Sequence, residues 1–264
     1  MDLGLKGRVA IVAASSQGLG KAVALGLARE GARLVLCARS EEKLSAAAAE
    51  IRQATGADVM ARAIDVRVHD QVHALVAETE ERFGQVDICV TNAGGPPAKL
   101  FSETSIQDWR AGVDLNLMST LYFAREVLPR MQKQRWGRLI TITSVSVKQP
   151  IDGLILSNAV RSAVVGLVKS LSNEYARHNV LVNNVCPGYT RTDRLTDLSQ
   201  KLATAEGVSL EIIQERWASQ VPLARLGEPE EFADLVVFLA SERASYITGA
   251  SIAVDGGFVK GIQG

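Results

Sequence analysis

The chain has 264 residues, 47% hydrophobic and 22% charged, with a formal net charge of zero. That balance is globular, and with no run of five Lys or Arg it excludes a basic nucleic-acid-binding patch. No apolar run approaches the ~18 residues that span a bilayer. The first residues also lack a basic segment followed by a long apolar run, so the expectation is a cytoplasmic protein with no membrane and no nucleic-acid partner.

Residues 8–14 (RVAIVAA) predict a strand, followed by the turn SSQGLG and a helix that ends at Gly31. Residues 32–38 predict the second strand, 41–54 a helix and 58–64 a third strand. A helix over 69–83 stops at Gly84, and residues 86–91 (VDICVT) form the fourth strand. A long helical region covers about 105–134, with Pro129 expected to kink it or mark its last turn. The run LITITSV from Leu139 is the fifth strand, and it leads to a helix over 154–176. Residues 180–186 predict strand six, 229–241 a helix and 250–254 the last strand.

Alternation of strand and helix predicts a doubly wound parallel sheet with helices on both faces, built as one domain over 1–264. The insert 188–226, with helical patches near 194–204 and 209–219, reads as a substrate lid. The helix 154–176 is apolar on almost every side. That pattern predicts burial on both flanks or packing against a partner subunit. Ser157 and Arg161 interrupt it four residues apart, on one helix face, and are expected to share a cleft with Ser144. Cys37, Cys89 and Cys186 lie in apolar runs and read as small buried thiols, with no metal site.

The first strand–helix turn, Ala14-Ser15-Ser16-Gln17-Gly18-Leu19-Gly20, suits a dinucleotide pyrophosphate, because glycines admit the backbone and a helix N-terminus supplies N–H donors. Asn92-Ala93-Gly94 stands at the carboxyl end of strand four, where an open α/β sheet binds ligand. With Asp65-Val66, Asn116 in DLNLMS, Ser144, Pro187-Gly188 and Val254-Asp255-Gly256-Gly257 in order, the chain resembles the short-chain dehydrogenase/reductase family along nearly its whole length.

The resemblance implies a Rossmann-like seven-stranded sheet, a nicotinamide cofactor, a small-molecule carbonyl or alcohol substrate, and a homo-oligomer (tetramer or dimer) joined through helix 154–176. It assigns cofactor contacts to Ala14, Ser16, Gln17, Gly18, Leu19, Gly20, Asp65, Val66, Asn92, Ala93, Gly94, Arg161, Pro187, Gly188 and Thr190. Ala38 stands where an acidic residue would hold the adenosine ribose, and Arg39 follows it. A guanidinium suits a 2′-phosphate, so NADP(H) is favoured over NAD(H).

Two departures concern the chemistry. The family's general acid is a Tyr thirteen residues after the catalytic Ser, with a Lys four further on. Here those positions hold Ser157 and Arg161. A serine hydroxyl is a far weaker acid than a phenol, and an arginine stays protonated, so neither replaces the pair. Ser144 and Asn116 are retained. Tyr189 and Lys148 are the alternative proton donors, whereas His69, His73 and His178 fall on helices away from the cleft. The expectation is an oxidoreductase with a rearranged proton-donor site, including 3-oxoacyl thioester reduction. The alternatives are a weakly active or inactive cofactor-binding protein, or a non-redox lyase or isomerase on the same fold.

Overall fold

The computed structural model describes residues 1–262. Its strands are β1 (Val9–Ala13), β2 (Arg33–Ala38), β3 (Val59–Ala63), β4 (Ile88–Thr91), β5 (Gly137–Ile142), β6 (Val180–Pro187) and β7 (Ser251–Val254). All pair in parallel in the order β3-β2-β1-β4-β5-β6-β7, the seven-stranded Rossmann-like sheet that the sequence predicts. The helices are α1 (Gly18–Arg29), α2 (Glu41–Thr55), α3 (His69–Phe83), α4 (Ile106–Gly112), α5 (Ser119–Gln134), α6 (Ile155–Tyr175), α7 (Asp193–Glu206), α8 (Leu210–Gln220) and α9 (Pro229–Ala240).

Side chains alternate across a strand, so a strand covered on both faces must be apolar throughout. In β1, Ala10 and Val12 enter a core with α1, α2 and α9. Val9, Ile11 and Ala13 enter the opposite core with α3, α5 and α6. Glycines at left-handed φ, Gly56 and Gly84, stop α2 and α3.

The structure sharpens two of these readings. Pro129 lies inside α5, which runs on to Gln134, and the irregular stretch is instead a π-helical segment, Val113–Met118. Side-chain bonds occupy the carbonyls there: Ser119 Oγ donates to Leu115 O at 2.6 Å and Thr120 Oγ1 to Asn116 O at 2.9 Å. Helix α6 buries one flank only, through Leu156, Ser157, Val160, Val164, Val168 and Ser172. Its outer stripe, Ala159, Ser162, Ala163, Gly166 and Ser170, is exposed. Of the two readings of its apolar pattern, the exposed stripe sets aside burial on both flanks within the chain and leaves packing against a partner subunit as an expectation.

A buried polar net ties the strands that carry the cleft. Asn184 Oδ1 accepts from Thr141 Oγ1 at 2.9 Å and Thr143 Oγ1 at 2.8 Å, both on or beside β5. Its Nδ2 donates to Cys186 Sγ and to Ser251 Oγ on β7, each at 3.2 Å. Asn184 is fully buried, so its loss strands two hydroxyls away from water. Asn184→Ala is expected to lower stability by about 2–4 kcal/mol, measured by urea denaturation.

Candidate active site

The sheet order reverses between β1 and β4, because the chain leaves β1 towards β2 and returns on its other side. A crevice opens there at the carboxyl ends of the strands. Helix α1 starts at this point. Its N-cap residue Gln17 makes no capping bond and its first turn holds no acid, so its leading N–H groups are free to meet an anion. By contrast α2, α4, α7 and α8 are capped by Ser40, Ser105, Thr192 and Ser209.

The turn before α1 is tight. A Cβ on Gly20 would stand 2.3 Å from Ala14 O, so only glycine fits. Ala14 holds φ +50° and Gly18 φ +55°, both left-handed. Ala14 therefore carries a conformation that favours glycine. Thr192 lies over this turn, 3.5 Å from where a Gly18 Cβ would be.

The adenosine side of the crevice is lined by the end of β2. Arg39 and Ser40 are exposed. Lys43, which the sequence did not bring forward, reaches back from the first turn of α2 and donates to Gln17 Oε1 at 3.3 Å. The signal for it was Ser40: a capping serine fixes the helix start and aims its first turn at the glycine turn. Asp65 takes hydrogen bonds from the Arg67 guanidinium, down to 2.5 Å, which hold its carboxyl below the usual range, and Val66 behind it is buried.

At the other end, β5 stops at Ile142 and the chain turns through Thr143 and Ser144. Ser144 Oγ accepts from Ser146 N at 3.1 Å. Ser146 Oγ stands 3.1 Å from Ser157 Oγ, so a hydroxyl chain joins β5 to α6. Arg161 Nη1 donates to Thr143 O, and its Nε is shielded from water with no partner. Burial, with repulsion from Arg194 behind it, pushes the guanidinium down to about 10, still cationic at neutral pH. Asn116 Nδ2 donates to Gly94 O at 3.1 Å, while its Oδ1 is buried without a partner. Asn92, Ala93, Asn116, Thr143 and Arg161 enclose a cavity of about 10 Å³, room for one water.

Tyr189 does not join this group. Its ring stacks on Trp217 at 5.3 Å and meets Phe258 edge-on at 5.1 Å. Burial pushes its phenol up, and it lines a different cavity, of about 120 Å³, with Thr190, Val221 and Gly256. Lys148 carries no salt bridge among the described residues. His69 and His73 both bond Glu126, at 3.0 and 2.9 Å, and His178 faces Gln132. Pro187 ends β6, Gly188 N donates to Val254 O at 3.0 Å, and Thr190 is buried beside it. The base of the 188–226 insert is closed by Arg191 N to Gly227 O at 2.8 Å and Gly227 N to Tyr189 O at 2.9 Å.

An uncapped helix over a glycine turn at a sheet's reversal point is the arrangement of dinucleotide-binding α/β proteins. The comparisons narrow this class. A family profile described as enoyl-(acyl carrier protein) reductase matches residues 13–259. The 3-oxoacyl-(acyl-carrier-protein) reductase FabG of Aquifex aeolicus is 35% identical over 97% of this chain and 99% of its own length. The corresponding reductase of Synechocystis is 37% identical over 97% and 98%. The L-sorbose reductase of Gluconobacter frateurii, solved with NADPH and L-sorbose, superposes with a TM-score of 0.95 at 33% identity, over 99% of this chain and 100% of that one. The chain belongs to the short-chain dehydrogenase/reductase family and is an oxidoreductase of that type. No helix among the described residues is long and apolar enough to cross a membrane.

The Gly20 contact and the strained Ala14 make opposite predictions. Gly20→Ala is expected to lower both stability and dinucleotide binding. Ala14→Gly is expected to raise stability by about 1 kcal/mol, or roughly 2–3 °C in Tm. Thermal melts with and without NADPH check both.

Proposed function

We propose that the protein is an NADP(H)-dependent reductase that interconverts a carbonyl and an alcohol at a site built without a tyrosine acid. The observation that carries this reading is the uncapped α1 turn facing the Ser144–Arg161 end of β5. Two parallel strand spacings, about 10 Å, separate β1 from β5, and a dinucleotide bridges that gap. The residues present fit the cofactor: the glycine turn and free N–H groups for its pyrophosphate, Asp65 and Val66 for its adenine side, Asn92-Ala93-Gly94 and Pro187-Gly188 for its nicotinamide side. When bound, it supplies a hydride to the carbonyl carbon or accepts one from the alcohol carbon.

The chain's own groups handle the oxygen. Ser144 donates a hydrogen bond to the carbonyl oxygen. Arg161, cationic and partly desolvated, stabilises charge that develops there. Ser157 and Arg161 occupy the family's Tyr and Lys positions, so the proton comes from water. The cavity between Arg161 Nε, a donor without an acceptor, and Asn116 Oδ1, an acceptor without a donor, suits that water. The aromatic stack favours Tyr189 as a wall of the site rather than its acid.

Residues 1–262 act as one domain, residues 263 and 264 lying outside those described, with 188–226 as the lid, because Thr192 lies on the glycine turn and Arg194 on Gly95. The small-residue stripe on α6 favours a homo-oligomer formed through that helix. 3-Oxoacyl thioesters are the first substrates to try, since the relatives at 35% and 37% identity are named for them.

NADPH oxidation against ketones and 3-oxoacyl thioesters tests the reading. Tight NADPH binding with no turnover on any carbonyl would overturn it. Restoring the phenol and amine with Ser157→Tyr plus Arg161→Lys is expected to raise turnover of a simple ketone by about 10²-fold or more, within the range of general acid catalysis. The double variant should also acquire a pH dependence that the parent lacks.

The preference for NADPH is attributed to Arg39, with Lys43 beside it and the hydroxyl of Ser40. Ala38→Asp with Arg39→Ala is expected to reverse the NADPH/NADH preference, and Lys43→Ala to weaken NADPH alone by roughly 10-fold. An unchanged Kd ratio in fluorescence titrations would remove these residues from the account.

A further inference from the structure

Two arginines stand at the carboxyl ends of β4 and β5, on Gly95 and Thr143. Arg161 uses one donor on Thr143 O, and its Nε has no partner. Arg194, on the first turn of α7, lies across Gly95: its guanidinium donates to Gly95 O at 3.1 Å and Pro96 O at 3.2 Å. A Cβ on Gly95 would stand 2.4 Å from Arg194 Nη2. The two guanidinia stand past the ends of adjacent strands, Arg194 on Gly95 after β4 and Arg161 on Thr143 after β5.

Among the described residues neither has a carboxylate within 4.0 Å. The other arginines of the same insert are all paired: Arg191 with Glu228 at 3.0 Å, Arg216 with Glu206 at 2.8 Å and Arg225 with Glu231 at 2.6 Å. Nearby Asp255 is spent on Gly257 N and Val259 N, at 2.9 and 2.8 Å.

Arg161 is half-buried with its Nε shut off from water, and a cation drawn out of water without a counter-charge is costly and persists where a ligand supplies the charge; Arg194 is exposed at the cleft, free to reach the same anion. The planar fork of a guanidinium matches a carboxylate in two parallel bonds. Arg161 is anchored on Thr143, the residue before Ser144, so its guanidinium stands beside the strand end that carries the serine. Resting on the carbonyl–alcohol reading above, we propose that the substrate is itself an anion. It is a short 2-oxo or 3-oxo acid, or the matching hydroxy acid, with its carboxylate held by Arg161 and covered by Arg194. The other anion within reach of these arginines is a phosphate of the cofactor, and the experiment separates the two.

NADPH affinity is first measured by fluorescence titration of the parent, Arg161→Gln and Arg194→Gln. Rates are then compared for 2-oxo and 3-oxo acids, their methyl esters and a 3-oxoacyl thioester. The parent is expected to prefer each acid over its ester by roughly 10- to 100-fold in kcat/KM. Arg161→Gln should abolish the preference and Arg194→Gln reduce it, with every acid-to-ester ratio compared at saturating NADPH and the NADPH affinity of Arg194→Gln unchanged within about threefold. Equal rates on acid and ester in an NADPH-binding parent would overturn this inference alone. So would variants that lose NADPH affinity yet keep the acid preference, which would give the arginines to the cofactor. Failure of the parent to bind NADPH would overturn the underlying reading as well.

Malonate gives a readout that needs no turnover. It is expected to raise the Tm of the NADPH-loaded parent and not of Arg161→Gln. No shift in the parent counts against the proposal.

Discussion

A parallel sheet must be covered on both faces, and that requirement shapes everything else in this molecule. Each strand of β1, β4 and β5 feeds one core with alternate residues and the opposite core with the rest. The crossovers that cover both faces force the strand order to reverse once, between β1 and β4. At that reversal the helices part to opposite sides and the carboxyl ends of the strands are left uncovered. The site is therefore a consequence of covering the sheet, and the side chains around it decide what the crevice does.

Those side chains divide into a settled half and an unsettled half. At β1 the turn is closed tightly by Gly20 against Ala14 O, and the donors of α1 are left free. At β5 the polar groups are unevenly satisfied. Asn184 meets its hydroxyl partners in full and fixes the strand. Asn116 Oδ1 and Arg161 Nε, on two helices over the same small cavity, have no partner among the described residues. Well-built interiors rarely leave such groups orphaned, and where they do a ligand or water completes them. The orphaned pair lies on the cavity between the ends of β4 and β5, and the reading of this cleft as a ligand site rests on it.

Much of this was legible beforehand, for identifiable reasons. Strand and helix positions follow from apolar period and from glycine stops, which are local. The glycine turn, Asn92 and Ser144 were legible because each stands at the end of an apolar strand. Lys43 and Ser146 were not, since a surface lysine and a second serine carry no pattern. Their roles come from Ser40 capping α2 and from the hydroxyl contact with Ser157. Pro129 misled because a proline in a helix signals a break, yet the backbone is disturbed instead by Ser119 and Thr120 bonding to carbonyls one turn back.

The sequence by itself determined the order of elements, the two-faced parallel sheet and the presence of Ser157 and Arg161 in an otherwise apolar helix, because these depend on residue type and spacing along the chain. Only the tertiary structure decided that Arg161 and Arg194, 33 residues apart in sequence, stand past the ends of adjacent strands, neither with a carboxylate partner among the described residues. It also decided that Tyr189 turns into an aromatic stack, and that one flank of α6 faces outward. Electrostatic partnership and burial are properties of distance in space, and a sequence fixes that distance only through the whole fold.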